Sequence, residues 1–301
     1  MNVGIIGLGR MGLAIAQRIL NAGHTVVGFD LSKELMGQLT MMGGDTTDLI
    51  EQVAQQARII WLMVPAGEVV DSVIEQLLPH LKGGDIVVDG GNSNFHDSMR
   101  RADLFAARDM FFLDCGTSGG LHGKAVGFCL MVGGDKAAYT KIYPLLEAIA
   151  MPEGVGYMGP SGTGHYVKMV HNGIEYALLQ AYAEGLHVIK EGTFKDQVLD
   201  LDEITRVWNN GSIIRSFILQ LLHDIVQKDQ ELKNISGEVA ATGMGKWTVE
   251  EAEQRNIPVD LIKRSLEIRD WSQQTGGNYA TKLVSMLRNS FGGHEFKKIE
   301  K

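Results

Sequence analysis

The sequence predicts an α/β domain with a doubly wound, mostly parallel sheet, followed by an all-α domain. Three observations carry this: strand and helix patterns alternate through the first half, strand signals nearly vanish after Pro160, and a glycine-rich turn joins the first strand to the first helix. Asn2–Ile6 is a β-branched run that ends at glycines. From Arg10 to Ala22, residues Met11, Ala14, Ile15, Arg18 and Ile19 fall three and four apart, a helical spacing that Gly23 closes as a C-cap. Further strands are expected at Thr25–Phe29, Ile59–Val64, Ile86–Asp89, Phe111–Asp114, Gly127–Val132 and Gly154–Met158, with helical stretches between most of them. This rhythm requires crossover connections and hence parallel pairing. The second half reads as one long helix, Thr163–Glu191, followed by helices at Asp202–Asn209, Ser216–Lys228, Val249–Asn256, Val259–Ser272 and Tyr279–Asn289. A boundary at Pro160–Gly164 divides the chain into domains 1–160 and 161–301.

Composition excludes several classes. With 45% hydrophobic and 21% charged residues, the 301-residue chain can build ordinary cores and is not disordered. The 28 basic residues against 36 acidic ones give a net charge of −8, which argues against generic binding to nucleic acid or anionic lipid. Thirty-seven glycines beside only six prolines point to tight turns and close backbone approaches. The two cysteines, Cys115 and Cys129, form no Cys-x-x-Cys pair and read as reduced core residues. No metal-ligand cluster is evident, so no metal is expected. No apolar run reaches the ~18 residues of a membrane span, and the N-terminus shows no targeting pattern. The expectation is a cytoplasmic enzyme.

Gly7-Leu8-Gly9-Arg10-Met11-Gly12 has the form G-x-G-x-x-G between a strand and a helix, and a second strand ends in the acid Asp30. Glycines there permit a tight turn, close approach of a pyrophosphate and close helix–strand packing, while the helix N-terminus presents amides to the diphosphate. This is a Rossmann-like dinucleotide site. Asp30 is placed to accept hydrogen bonds from the adenosine ribose and would repel a 2′-phosphate. Leu31-Ser32 brings no arginine, and Lys33 is a weak substitute, so NAD is favoured over NADP. Val64-Pro65-Ala66 and Gly90-Gly91-Asn92-Ser93 follow strands at the sheet's carboxyl edge, where ligands bind. Asn92 reads equally as an N-cap and as a ligand contact. Thr117-Ser118-Gly119-Gly120 follows another strand and exposes backbone amides to an anion such as a carboxylate. A plain glycine turn is the alternative, and His122 reads as a solvated loop residue.

The segment Lys168-Met169-Val170-His171-Asn172-Gly173-Ile174-Glu175-Tyr176 places Lys168, His171, Asn172, Glu175 and Tyr176 on one helical face, with Val167, Val170, Ile174 and Leu178 covering much of the rest. An apolar side normally turns inward. A polar stripe of this composition then marks a solvated face or a polar cleft, and His-Asn with Tyr favours the cleft.

At these residues the chain resembles the decarboxylating 6-phosphogluconate dehydrogenases in a short form. The likeness runs through GLGRMG at 7–12, GGNS at 90–93, SGG at 118–120, KMVHNGIEY at 168–176, GKWT at 245–248 and RNSFGGH at 288–294. It implies oxidation and decarboxylation of 6-phosphogluconate with a nicotinamide cofactor and no metal. Lys168 would be the general base, its pKa lowered by burial or nearby cations, and Glu175 the acid that protonates the enediol. His171, Asn172, Asn92 and Ser118-Gly119-Gly120 would hold the carboxylate and hydroxyls. Tyr176, Arg269 and Arg288 would hold the 6-phosphate, with His294 nearby. By the resemblance, Arg288 and His294 belong to a tail that completes a neighbour's site in a homo-oligomer, whereas residues 288–301 taken alone read as a frayed end.

The chain departs from the family pattern at Thr242 and Met244, where phosphate-gripping lysine and threonine are expected, with Lys246 the nearest substitute. Asp30-Leu31-Ser32 replaces an NADP-reading Asn-Arg-Thr, and one copy of a duplicated helical unit is missing. Two alternatives stay open: a dehydrogenase of a small, non-phosphorylated 3-hydroxyacid, and a catalytically silent dinucleotide-binding regulator.

Overall fold

The computed structural model describes residues 1–197, 199–240 and 243–299. The chain divides into two compact units, Met1–Met169 and Val170–Lys301. The strands are β1 (Asn2–Ile6), β2 (Thr25–Phe29), β3 (Asp45–Thr46), β4 (Ile59–Leu62), β5 (Ile86–Asp89), β6 (Phe111–Ser118), β7 (Phe128–Gly134) and β8 (Ala150–Gly159). The helices are α1 (Arg10–Asn21), α2 (Lys33–Met41), α3 (Ile50–Gln56), α4 (Glu68–Leu77), α5 (Phe95–Ala106), α6 (Gly123–Val126), α7 (Lys136–Ile149), α8 (Thr163–Glu191), α9 (Leu201–Asn209), α10 (Phe217–Lys228), α11 (Met244–Gln254), α12 (Asp260–Thr275) and α13 (Tyr279–Gly292).

In the first unit the strands form one sheet in the order β3-β2-β1-β4-β5-β6-β7-β8. Every neighbouring pair is parallel except β6–β7. The chain reverses its direction of strand addition between β1 and β4, which opens a crevice at their carboxyl ends. Alternate residues of each central strand enter opposite cores. Ile59, Trp61, Ile86 and Val88 pack on one face of the sheet, and Ile60, Leu62 and Val87 on the other. In the second unit, α8, α9, α10 and α13 bury Leu179, Leu186, Leu222, Val226, Leu283 and Leu287 in a core of their own.

The fold class is as the sequence predicts, and the differences are local. β6 runs on through Gly116 to Ser118, because its antiparallel partner β7 supplies hydrogen bonds up to the Ser118–Cys129 pair. The two-residue β3 has no hydrophobic run to announce it. α11 begins at Met244, so the GKWT segment is helical. Cys115 is buried, and burial pushes its thiol well above the usual range. Cys129 is exposed, contrary to the expectation of two core cysteines. Among the described residues, no helix is long and apolar enough to cross a membrane.

The beginning of α8 is pressed against the β6–β7 pair. A Cβ on Gly164 would stand 2.3 Å from the Asp114 carbonyl oxygen and 2.4 Å from that of Met131. The Asp114 carboxylate is fully buried and accepts hydrogen bonds from the amides of Gly162 (2.7 Å) and His165 (2.9 Å). It therefore serves the orphan donors at the helix start, where a negative charge is favourable. Gly164→Ala is expected to destabilise the protein by roughly 1–3 kcal/mol in urea unfolding. Gly37→Ala in α2, where a new Cβ meets nothing within 4 Å, should stabilise it by roughly 0.5–1 kcal/mol.

Candidate active site

The glycine loop divides its tasks among three positions. Gly7 has φ +93°, and a Cβ there would lie 2.4 Å from the Met63 carbonyl oxygen. A Cβ on Gly12 would lie 2.0 Å from the Gly7 carbonyl oxygen, so this residue sets how closely α1 meets the strand. Gly9 is exposed, and a Cβ there would meet no protein atom within 4 Å. Gly9 is the N-cap of α1 and makes no side-chain cap. Protein packing accounts for Gly7 and Gly12, whereas at Gly9 the missing Cβ leaves room outside the protein, as a diphosphate would require. Leu8 is buried, Met11 is half-buried against the core, and Arg10 is exposed.

Asp30 accepts hydrogen bonds from the amides of Leu8 (2.6 Å) and Ser32 (2.8 Å), which ties the loop to the end of β2. Leu31 is exposed, and Lys33 is ion-paired with Asp48. These residues fit a dinucleotide and offer little to a 2′-phosphate. Val64 is half-buried and Pro65 and Ala66 are exposed at the same sheet edge.

Asn92 is exposed and is not the cap of α5. Asn94 fills that role, its side chain accepting the His96 amide at 2.9 Å. After β6, Gly119 (φ +120°) and Gly120 (φ +51°) take backbone conformations closed to most side chains, and a 3₁₀ turn follows through the exposed His122. Ser118 is half-buried at the strand end. Lys168 is 5% exposed. A Cβ on Gly116 would stand 2.3 Å from the Lys168 Cβ, so β6 carries the stem of that lysine on bare backbone.

In the second unit, His171, Asn172 and Glu175 are half-buried and Tyr176 is buried. His171 Nδ1 lies 3.0 Å from Asn172 Oδ1, and Asn172 Nδ2 donates to Met244 Sδ at 2.9 Å. The expected orientation of α8 is reversed in part. Val167, Ile174 and Leu178 are exposed, while Tyr176 lies inward, covered on one side by α11, where a Cβ on Gly245 would meet its ring at 2.7 Å.

The Arg269 guanidinium carbon lies 3.3 Å from the centre of the Tyr176 ring. Arg269 is 2% exposed and both its Nη atoms are buried without a hydrogen-bond partner. Burial pulls its pKa down to about 10, helped by the Arg288 charge and opposed by Tyr176 and Glu175. Arg288 is also buried and is pulled down mainly by desolvation, with Tyr176 and Glu175 opposing. Two buried cations held this close, with both Nη atoms of Arg269 unpartnered, suit an anion.

Arg288 sits on α13 in the field of its own Tyr176 and Glu175. His294 is half-buried, and its carbonyl accepts from Asn289 Nδ2 at 2.8 Å. Ser236 and Ile299 donate backbone bonds to Lys297 and Asn234 at 2.9 Å each, so the described tail is paired rather than frayed. Thr242 lies outside the described residues. Lys246 is exposed and pairs with Glu250 at 3.5 Å. The sequence reading missed Asp114, Gly116 and Gly245 as residues that position the site. An acid at a strand end, and glycines inside a strand and a helix, were the available signals.

A family model described as the NAD binding domain of 6-phosphogluconate dehydrogenase matches residues 2–159, and one described as 6-phosphogluconate dehydrogenase, C-terminal domain, matches 164–281. The chain belongs to the 6-phosphogluconate dehydrogenase family. It is an enzyme of that family, and its first unit is the NAD-binding domain. It is 46% identical over 301 residues to an NAD(+)-dependent, decarboxylating 6-phosphogluconate dehydrogenase of Haloferax volcanii, covering 98% of each chain. A Bacillus subtilis enzyme of the same description is 38% identical over 89% of this chain but only 60% of its own length. The solved 6-phosphogluconate dehydrogenase of Plasmodium falciparum matches with TM-score 0.82 and 32% identity, over 91% of this chain and 62% of that one. A 3-hydroxyisobutyrate dehydrogenase of Salmonella typhimurium, at 21% identity and TM-score 0.77, covers 94% of this chain and 99% of its own and shares the fold.

Because the buried Arg269 guanidinium leaves both Nη atoms without a hydrogen-bond partner, Arg269→Met should raise the stability of the free protein by roughly 1–4 kcal/mol. Inorganic phosphate is expected to raise the melting temperature of the parent, and the same change should abolish that rise. Calorimetric melting with and without phosphate checks both.

Proposed function

We propose that the chain oxidatively decarboxylates 6-phospho-D-gluconate to D-ribulose 5-phosphate and carbon dioxide, using NAD in preference to NADP. The observation that carries this reading is the pair of buried arginines beside Tyr176, Arg269 with both Nη atoms unpartnered. A non-phosphorylated 3-hydroxyacid would leave that charge without purpose. The relatives' names point to the same reaction.

Bound NAD supplies the acceptor for the hydrogen and electron pair that leave C3. Gly9 and the start of α1 hold its diphosphate, and Asp30 holds the ribose hydroxyls and repels a 2′-phosphate. Lys168 takes the proton of the C3 hydroxyl and, once protonated, polarises the ketone. The bond from C2 to the carboxylate carbon, C1, then breaks, and its electron pair passes into the enediol because the ketone lies β to the carboxylate. Glu175 protonates the carbon that lost carbon dioxide, giving the ketopentose. His171, Asn172, Asn92 and Ser118-Gly119-Gly120 orient the carboxylate and hydroxyls, and Tyr176, Arg269 and Arg288 take the phosphate. The ketone is the electron sink, so no metal is called on. The assembly is read as a cytoplasmic homo-oligomer in which the tail carrying Arg288 and His294 is exchanged between neighbours and completes a neighbour's site. Such an exchange trades the present contacts for identical ones at little cost.

The test measures NADH and carbon dioxide in parallel with 6-phosphogluconate, gluconate and 3-hydroxyisobutyrate, and repeats the first with NADP. Equal amounts of both products from 6-phosphogluconate alone, faster with NAD, are expected. Oxidation of 3-hydroxyisobutyrate without carbon dioxide, or faster turnover with NADP, would contradict the reading. Lys168→Met should lose both products together, by on the order of 100–10,000-fold.

A further inference from the structure

Beneath the two loops that reach the sheet edge after β4 and β5 lies a fully buried guanidinium, that of Arg101 on α5. Its three nitrogens go to different places. Nε donates to Asp71 Oδ1 of α4 at 2.8 Å, and Nη2 donates to the Gly67 carbonyl, at the end of the β4 loop, at 3.0 Å. Nη1 faces Asp89 Oδ2 at 3.4 Å and Ser93 Oγ at 3.5 Å. Asp89 is itself buried. It accepts the Ser93 hydroxyl at 2.6 Å and the Gly91 amide at 3.1 Å, so Asn92 stands between two residues tied to one carboxylate. Arg101 neutralises that carboxylate, while Asp71 is shared with Arg100 at 2.9 Å.

We propose that Arg101 is a positioning residue that sets the loop Val64–Gly67 and the loop Gly90–Ser93 in one fixed register, so that cofactor and substrate contacts are placed together. The fork of a guanidinium makes this work: it reaches both loops at once in a plane, which a lysine's single ammonium cannot do. Sheet packing does not require the arrangement. The cores on either face are apolar, and a buried charge there is kept only at the cost of its desolvation. The functional meaning of the two loops rests on the reading given under Proposed function, but their mechanical coupling does not.

The experiment therefore begins with hydrogen exchange on the free protein, which needs neither ligand nor turnover. Arg101→Lys, which keeps the charge, should speed exchange in both loop peptides. Asp71→Asn should speed it in the first loop only, and Ser93→Ala in the second only. In the same three variants, NADH affinity by fluorescence titration should fall on the order of tenfold in Arg101→Lys and Asp71→Asn, and stay within about twofold in Ser93→Ala. Faster exchange in both loops of Arg101→Lys, with the partner variants confined to one loop each, supports the clamp even if wild-type protein proves to use another substrate. Unchanged exchange in either loop of Arg101→Lys overturns it. So does faster exchange spread evenly over β4, β5 and α5, since that is the signature of general loosening.

Discussion

The contact on which the site depends is the one between the start of α8 and the bare backbone of β6 and β7. It needs two glycines and one buried acid. Gly164 and Gly116 remove the side chains that would hold helix and strand apart, and Asp114 accepts the amides of Gly162 and His165 that helix formation leaves unpaired. A buried carboxylate is costly unless it is well bonded, and the helix start supplies both the bonds and the favourable dipole. The result is local precision. Lys168 lies one turn further along, buried with its stem on the bare backbone of Gly116.

The second unit shows the opposite economy. Its helices bury a conventional aliphatic core, yet Arg269 and Arg288 are buried beside Tyr176 with Arg269 lacking hydrogen bonds at both Nη atoms. Stability alone would exchange such a residue for a hydrophobic one of similar size. Under the proposed phosphate-binding role, retaining it is preorganisation: desolvation is met during folding, and an anion bound there would gain the full charge-assisted contact. The Tyr176 ring against the guanidinium holds it in place while leaving its nitrogens available.

Patterns that repeat were legible in the sequence, and those that depend on distant contacts were not. The strand–helix alternation placed β1, β2, β5 and α8 with their observed ends, because each has a continuous β-branched or apolar periodicity bounded by turn residues. The glycine loop and Asp30 could be read because their spacing is short and local. The extent of β6 could not, since Gly116 and Ser118 carry no strand preference and are held there by pairing with β7. Asn92 reads equally as the N-cap of α5 and as a ligand contact, and only the bond from the His96 amide assigns the cap to Asn94. Arg101 escaped notice altogether. On α5 it neighbours another arginine in an ordinary amphipathic pattern, and its burial follows from contacts with α4 and β5 that no local rule reports. Taken alone, residues 288–301 read as a frayed end, because the pairing partner lies some sixty residues earlier, near Ile235.

The most direct measurement is kcat alongside the dissociation constant for NADH in Gly116→Ala. A new Cβ would press on the Lys168 Cβ at 2.3 Å and on the Gly164 carbonyl at 2.8 Å, while the glycine loop at the far side of β1 is untouched. If the bare strand sets the lysine, kcat should fall by on the order of 10–100-fold, because a displacement of about 1 Å at a reacting group has that effect, and NADH binding should stay within about twofold. A folded Gly116→Ala enzyme with unchanged kcat would contradict this, and would mean that the amine finds its place without the strand.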